Sequence, residues 1–315
     1  MSDEALVVAG VGKRYGDRDV LRDVSFSIRS GEAVGYLGPN GAGKSTTLKI
    51  VAGVTRPTGG SVRVRGLDPD RESTRALRRL GALLETPGVP PYLTGADLLE
   101  YVARVKGVPA TERHRAARRS AEAMAVVEHL DRPFGSLSTG LTRRMLLAAT
   151  LVGDPDTLLL DEPTLGLDPA ARQDLRDVLR GLHRQGLTLL VSTHLLDDVS
   201  EVCDRVLFLR DGSLVGDEPV HPGADDGSGT RGRRVRMQFG APVTAAELAG
   251  ALGPAFQVTL DGPRAADVRF AGGDDEQRAL LAAVVRAGLP MITASTPGSD
   301  LARRYLERVG REDAT

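Results

Sequence analysis

The chain has 315 residues, of which 41% are hydrophobic and 26% charged, and its formal net charge is -1. These values are typical of a globular protein of about two domains, and they provide no global attraction to nucleic acid or to an anionic membrane. The single cysteine, Cys203, excludes an internal disulfide bond. No apolar run approaches the ~18 residues of a membrane-spanning helix, and the acidic N-terminus does not resemble a signal peptide.

Residues 1–222 predict an α/β domain, because strand and helix patterns alternate along this part of the chain. Near the N-terminus, residues 25–28 and 61–65 alternate in polarity with period two, which predicts an antiparallel sheet with one solvated face. Continuous apolar runs are typical of parallel strands buried on both faces, and they occur at residues 32–37, 157–160 and 187–191. Helical periodicity predicts helices at residues 44–52, 75–80, 95–105, 112–130 and 170–184.

A second, smaller domain is predicted at residues 233–315. The residues before it, 223–232, are mostly Gly, Asp and Ser, which is typical of a linker. Strands are predicted at residues 233–239, 256–260, 266–270 and 291–293, and helices at residues 245–252, 275–287 and 300–309. The resulting strand-helix-strand-strand-helix-strand order predicts an α+β domain of the ferredoxin-like type. This domain contains no recognisable catalytic constellation.

The stretch Gly-Pro-Asn-Gly-Ala-Gly-Lys-Ser-Thr at residues 38–46 fits the pattern G-x-x-x-x-G-K-S/T, between a predicted strand and a predicted helix. This is the pattern of a phosphate-binding loop, whose glycines allow backbone N–H groups to approach a phosphate. Lys44 then brings positive charge to the β- and γ-phosphates, and Ser45 offers a hydroxyl group to Mg²⁺. The alternative is a plain glycine-rich turn.

Polar residues follow two of the predicted buried strands, where the carboxyl ends of parallel strands share one edge of the sheet. Asp161 can hold Mg²⁺ there, directly or through water, and Glu162 can orient a water molecule for attack on a γ-phosphate. His194 follows the next apolar strand, and a neutral imidazole there can donate to a γ-phosphate oxygen. Adjacent acids are common at strand ends, so it is their combination with the phosphate loop that indicates nucleotide hydrolysis.

Five motifs occur in a fixed order: residues 38–46, Leu137-Ser-Thr-Gly140, Leu160-Asp-Glu-Pro163, Gly166-Leu-Asp-Pro169 and Ser192-Thr-His194. In order and spacing they resemble the ATP-binding subunit of ATP-binding-cassette (ABC) transporters, over about residues 5–220. The resemblance implies a P-loop NTPase cassette with a parallel core sheet, an antiparallel N-terminal β subdomain and a helical subdomain. It also implies that two cassettes pair head to tail, so that Leu137–Gly140 of one contacts the γ-phosphate held by the other.

The resemblance implies a role for individual residues. Ser138 would contact the phosphate across the dimer and Gly140 would allow close backbone approach, although a plain helix N-cap at Ser138 is the alternative. Tyr15 would stack on adenine unless it is simply a surface tyrosine. The residues implied to bind ATP are Tyr15, Gly38, Asn40, Gly41, Gly43, Lys44, Ser45, Thr46, Glu85, Ser138, Gly140 and Asp168. Those implied in catalysis are Lys44, Glu162 and His194, and those implied to hold Mg²⁺ are Ser45, Glu85 and Asp161.

Three positions depart from the usual family pattern. Thr139 and Leu141 stand where the signature usually has Gly and Gln, which is similar to the single-cassette drug-exporter branch. Glu85 stands where the family usually has Gln, and in this it resembles exporters that confer resistance to bacitracin and lantibiotics. A Gln offers Mg²⁺ a neutral carbonyl oxygen whereas Glu brings a charge, so metal affinity and hydrolysis rate can differ from the family norm.

The resemblance implies an ATPase that uses ATP and Mg²⁺ to drive export of a drug or antibiotic through a separately encoded membrane permease. The expected partners are that permease and a second cassette, in a homodimer, without nucleic acid, at the cytoplasmic face of the cell membrane. Two alternatives stay open. A translation or DNA-repair ATPase is disfavoured because every motif occurs once and no long insertion separates the phosphate loop from the signature. A regulatory cassette that binds ATP with little turnover is disfavoured by Glu162 and His194 but not by the three departures.

Overall fold

The computed structural model describes residues 3–85, 87–220, 232–271, 274–295 and 298–310. Within these ranges the chain divides into two compact units, a larger one of residues 3–220 with 308–310 and a smaller one of residues 232–307. The predicted linker lies outside the described residues except for Gly232, which begins the first strand of the smaller unit.

The larger unit contains nine strands and seven α-helices among its described residues. The strands are β1 (Glu4–Tyr15), β2 (Arg18–Arg29), β3 (Ala33–Leu37), β4 (Gly59–Val64), β5 (Leu80–Leu83), β6 (Thr157–Asp161), β7 (Thr188–Thr193), β8 (Arg205–Arg210) and β9 (Ser213–Pro219). The helices are α1 (Lys44–Val51), α2 (Ser73–Arg78), α3 (Gly95–Val105), α4 (Arg113–Ala123), α5 (Thr139–Leu151), α6 (Pro169–Arg184) and α7 (Leu196–Val202).

A six-stranded sheet in the order β5-β6-β7-β3-β8-β9 forms the centre of this unit. All neighbouring strands pair in parallel except β8 and β9, which pair antiparallel. Every residue of β3, β6 and β7 is buried, as their continuous apolar runs predicted. Because these strands are parallel, their carboxyl ends share one edge of the sheet, where ligands of open α/β sheets bind.

A separate antiparallel sheet in the order β2-β1-β4 confirms the predicted N-terminal β subdomain. Alternation along β2 buries Phe26 and Ile28 and exposes Ser25, as expected for a sheet with one wet face. The buried face packs in one hydrophobic cluster with Tyr36 of β3 and Leu48 of α1. This contact attaches the small sheet to the strand and helix on either side of the phosphate loop.

The helix predicted at residues 112–130 is wrong in its second half. Helix α4 ends at Ala123, Ala125 has a left-handed φ of +53°, and only a short 3₁₀ turn, Val127–His129, follows. Met124 and Val126 are both fully buried. These side chains two residues apart could not both face inward on a helix, so burial at this point produced an apolar pattern without helical backbone.

The smaller unit confirms the ferredoxin-like prediction. Its elements are β10 (Gly232–Phe239), α8 (Ala245–Leu252), β11 (Phe256–Leu260), β12 (Ala265–Ala271), α9 (Asp274–Arg286) and β13 (Met291–Ser295), and α10 (Gly298–Val309) begins in it. The strands form an antiparallel sheet in the order β11-β12-β10-β13, which places the first and third strands in the middle. Met237 and Phe239 on one face of β10 pack in a core with Leu248 of α8 and Leu280 of α9.

Candidate functional site

The phosphate loop leaves the carboxyl end of β3 and enters α1. Gly41 and Gly43 have φ of +79° and +110°, a region that other residues rarely adopt. A Cβ on Gly38 would lie 2.3 Å from the carbonyl oxygen of Leu209, and one on Gly43 would lie 2.5 Å from Cδ2 of Leu21. The glycines are therefore needed for the shape of this loop, which ends at a helix N-terminus suited to an anion.

Lys44 lies buried between the loop and the acidic edge of the sheet, which is the edge that carries Asp161 and Glu162. Its Nζ donates to the carbonyl oxygens of Gly38 at 2.6 Å and Pro39 at 3.0 Å, and lies 4.0 Å from Oε1 of Glu162. Burial lowers the pKa of Lys44, while the negative charges of Glu162 and Asp161 raise it. The ammonium group is thus held over the loop, within reach of a phosphate bound there.

The structure brings Asp161, Glu162 and His194 together, as their places after β6 and β7 predicted. Asp161 is buried and accepts a hydrogen bond from the hydroxyl of Ser192, and Glu162 N–H donates to the Ser192 carbonyl at 2.9 Å. Nδ1 of His194 lies 3.0 Å from both carboxylate oxygens of Glu162. An ionised carboxylate only accepts, so Nδ1 carries the proton in this contact. The ring can then donate from Nε2 to a phosphate only when it is doubly protonated.

The oxygen donors near the loop suit Mg²⁺. Ser45 is exposed in the first turn of α1, and Asp161 ends β6. Among the described residues, no group of three or more His, Cys, Asp and Glu side chains forms a metal site by itself. This fits a cation that takes one or two protein oxygens and completes its octahedron with phosphate oxygens and water.

Glu85 has a partner that the sequence analysis missed. It follows β5, its side chain is 72% exposed, and Oε1 lies 2.5 Å from Nζ of Lys49 on α1. The hydrogen bond from Lys49 lowers the pKa of Glu85, and the same bond raises the pKa of Lys49. The negative charge by which Glu85 departs from the family pattern is therefore neutralised locally by a lysine five residues after Lys44.

Tyr15 lies at the end of β1 and is half exposed. Nζ of Lys13 lies 4.7 Å from the centre of its ring, a cation–π contact. Tyr15 and Gly41 of the phosphate loop both line a cavity of about 680 Å³. An aromatic ring that shares a cavity with the loop is suitably placed to stack on a base whose phosphates the loop holds.

The signature turn, residues 137–141, lies on the surface at the start of α5, and Ser138 is the N-cap of that helix. The hydroxyl of Ser138 accepts a hydrogen bond from the N–H of Leu141 at 3.3 Å, so the capping alternative is observed. A serine hydroxyl keeps its own O–H for a second contact, so capping does not exclude an anion. A Cβ on Gly140 would lie 3.4 Å from Cβ of Ala171, whose N–H is capped by Asp168 at 2.9 Å. The signature turn and Asp168 are thus neighbours.

The signature turn and the phosphate loop make no polar contact with each other within the described part of the chain: no hydrogen bond or ion pair joins residues 137–141 to residues 38–46. The sequence analysis missed two buried residues that join the motifs, Arg143 on α5 and Asp198 on α7. Arg143 could have been found, because it shares a helical face with the apolar Leu146 and Leu147.

No helix among the described residues is both long and apolar enough to span a membrane. The family model described as ABC transporter matches residues 21–165. The chain is 37% identical over 211 residues to the Nod factor export ATP-binding protein I of Burkholderia lata, an alignment that covers 67% of this chain and 69% of that protein. It is 34% identical over 215 residues to the uncharacterized ABC transporter ATP-binding protein YdbJ of Bacillus subtilis, covering 68% and 69%.

Solved structures of similar fold include an ATP-binding subunit of an ABC transporter, with a TM-score of 0.62, 28% identity and coverage of 68% of this chain and 90% of that one. The cassette MJ0796, described as a dimer in a post-hydrolysis state bound to ADP and Pi, has a TM-score of 0.62 and 26% identity and covers 69% and 99%. The relatives and the fold confirm the resemblance inferred from the five motifs. The chain therefore belongs to the ATP-binding proteins of ABC transporters, and it is an ATPase.

Proposed function

We propose that this ATPase powers export through a separately encoded membrane permease, and that ATP is bound between two copies of the chain. The observation that carries the proposal is the separation of two half-sites. The phosphate loop and its acidic edge form one group, and the exposed signature turn forms another that no polar contact joins to the first within the described residues. Two chains placed head to tail would bring each half-site to its complement.

We assign the residue roles as follows within that dimer. Lys44 and the loop N–H groups bind the β- and γ-phosphates, with Gly38, Asn40, Gly41, Gly43, Ser45 and Thr46. Ser45, Asp161 and Glu85 supply oxygen atoms for Mg²⁺, which would neutralise phosphate charge when bound. Glu162 orients the attacking water, and His194 contacts the γ-phosphate. Tyr15 stacks on the base, and Ser138, Gly140 and Asp168 act at the interface with the second copy.

Glu85 can bind the metal ion only if its ion pair with Lys49 breaks, or if Glu85 and Lys49 move toward the metal ion together. The ion pair offsets the negative charge that Glu85 adds, so this departure changes the charge near the metal site less than an unpaired Glu would. This supports a working metal site despite the departure. It also supports an ATPase that turns over in preference to one that only binds ATP.

The division of the chain is part of the proposal. Residues 1–222 form the cassette, residues 223–232 a linker and residues 233–315 an accessory domain, which the two compact units and the linker composition support. The name of the Burkholderia lata relative supports export. Thr139, Leu141 and Glu85, with the accessory domain, favour a drug or antibiotic as cargo, and the work would take place at the cytoplasmic face of the cell membrane.

A complementation experiment tests the shared site. Chains carrying Ser138→Arg and chains carrying Lys44→Ala should each be inactive alone. In such homodimers every site lacks either the signature serine or the phosphate-loop lysine. Mixed one to one, they should recover about a quarter of the wild-type rate of phosphate release, since half of the dimers are mixed and each has one complete site.

The matched control pairs Ser138→Arg chains with chains that carry both changes. No complete site exists in any dimer of that mixture, so it should stay inactive. If the first mixture also stays inactive while both variants fold and the Ser138→Arg chains still bind an ATP analogue, the two-chain site is refuted.

A further inference from the structure

Arg143 is a buried cation on the helix that follows the signature turn. It lies five residues after Ser138, on the face of α5 that also buries Leu146 and Leu147. It is 7% exposed. Burial of an arginine costs free energy unless its N–H donors are bound, so the contacts that hold this side chain indicate what it does.

The guanidinium group of Arg143 binds three consecutive carbonyl groups, those of residues 161–163, at the acidic edge of the sheet. Nε donates to the carbonyl oxygen of Pro163 at 2.8 Å, and Nη2 donates to those of Asp161 at 3.2 Å and Glu162. Burial lowers the pKa of Arg143, and the charges of Asp161 and Glu162 raise it. The planar fork of an arginine can hold several acceptors in a fixed arrangement, which a lysine cannot reproduce.

The backbone that Arg143 holds is in an unusual conformation. Glu162 has φ of +45°, in the left-handed region, which costs free energy for a residue with a Cβ and persists only when its surroundings enforce it. Two contacts fix the peptide groups on either side: the N–H of Glu162 donates to Ser192, and its carbonyl accepts from Arg143. Since this φ sets where the carboxylate points, the two contacts also set its position relative to Lys44 and His194.

We propose that Arg143 is a positioning residue that couples the signature helix to the catalytic glutamate of the same chain. A shift of the start of α5, when Ser138 meets the nucleotide of the other copy, is passed through the guanidinium to the backbone of residues 161–163. Each chain thereby couples two ATP sites. Its signature turn contacts the ATP bound by the phosphate loop of the other copy, and its Glu162 acts on the ATP bound by its own phosphate loop. This inference rests on the proposed function, because it takes Glu162 as the residue that orients water.

The test begins with Arg143→Met and Arg143→Lys in the full chain. The turnover number for ATP should fall about 100-fold in Arg143→Met, because small misplacements of a reacting group have effects of this size. Arg143→Lys should recover part of the loss, since an ammonium group can still donate to one or two of the carbonyls. KM should stay within threefold, because the carbonyl groups that Arg143 binds belong to residues 161–163 and not to the phosphate loop.

The control is Arg118→Met, which removes an exposed arginine from α4 whose partner is Glu122. It should leave turnover and KM unchanged within twofold. If Arg143→Met fails to give a cooperative thermal transition, the comparison rests on Arg143→Lys, for which we expect at least a tenfold loss of turnover. Turnover within threefold of wild type in the folded variants, or a rise in KM that accounts for the loss, would overturn the proposal.

A double mutant separates this inference from the proposed function. If Arg143 acts only through Glu162, Arg143→Lys should cause no further loss in a Glu162→Gln background, so the two effects are not multiplicative. Multiplicative losses would show that Arg143 acts elsewhere, while the role of Glu162 stands. Wild-type turnover in Glu162→Gln alone would instead refute the role of Glu162, and the coupling would fall with it.

Discussion

Asp198 on α7 is the centre of a buried polar cluster that joins α6 to the segments beside Glu162 and His194, and its charge should contribute strongly to stability. Its Oδ1 accepts from Nε of Arg176 on α6 at 2.7 Å, and both side chains are almost fully buried. Its Oδ2 accepts from the hydroxyl of Thr164, two residues after Glu162, and from that of Thr193, next to His194, at 3.4 Å. The perturbation is Asp198→Asn, which keeps the shape of the side chain but removes its charge.

The expected loss can be worked from these contacts. Removing one partner of a buried ion pair typically costs about 3–5 kcal/mol, because the remaining charge stays buried without compensation. Here Arg176 retains a second acid, since its Nη1 lies 3.0 Å from Oε1 of the partly exposed Glu201. The amide oxygen of Asn can also still accept from the threonines. We therefore expect the lower end of the range, about 3 kcal/mol in the free energy of unfolding.

The assay is urea unfolding followed by far-ultraviolet circular dichroism. A loss of this size should lower the urea midpoint of the larger unit by about 1 M or more. The matched control is Asp174→Asn, whose carboxylate is 65% exposed and pairs with Arg144 at 2.9 Å, and which should change the free energy of unfolding by no more than about 1 kcal/mol. A midpoint for Asp198→Asn that equals that of the control would refute the reasoning.

Two other changes have defined outcomes. Glu162→Gln should retain ATP affinity within about threefold and lower phosphate release by about 10²–10⁴-fold, because the amide cannot take a proton from the attacking water; normal phosphate release in single-turnover measurements would contradict this. Burial lowers the pKa of Lys106 from 10.5 to about 8. Between these values the unfolded chain binds more protons than the folded one, so the free energy of unfolding should rise with pH from about 8 to about 10.5. Lys106→Met should reduce that rise, and equal slopes for the two proteins in urea titrations at several pH values would contradict the assignment.

The candidate site could be assembled from the sequence because its parts sit at places that local pattern determines. The phosphate loop is one continuous segment, and its strand and helix flanks follow from apolar periodicity. Asp161 ends β6 and His194 follows β7, so both lie at the carboxyl edge of a parallel sheet, and the pairing of β6 with β7 then makes them neighbours. For the same reason the strand-helix-strand-strand-helix-strand order predicted the fold of the smaller unit, since its elements could be recognised from apolar periodicity and turn residues.

Apolar periodicity gave a wrong prediction where buried side chains continue along the chain but the backbone is no longer helical. Residues 112–130 keep an apolar pattern, yet Ala125 is left-handed and the helix stops at Ala123. Periodicity reports which side chains avoid water, and a buried turn can do that as well as a helix. Nothing in the local sequence distinguishes the two cases.

The partners of the charged residues belong to the tertiary structure alone. Lys49 meets Glu85 across 36 positions of sequence, and Asp198 meets Thr164 across 34. Each contact involves a charged group, and for the almost fully buried Asp198 an unpaired charge would be too costly to keep. Which partner satisfies each one depends on the distance between elements after packing, and only the folded chain sets that distance.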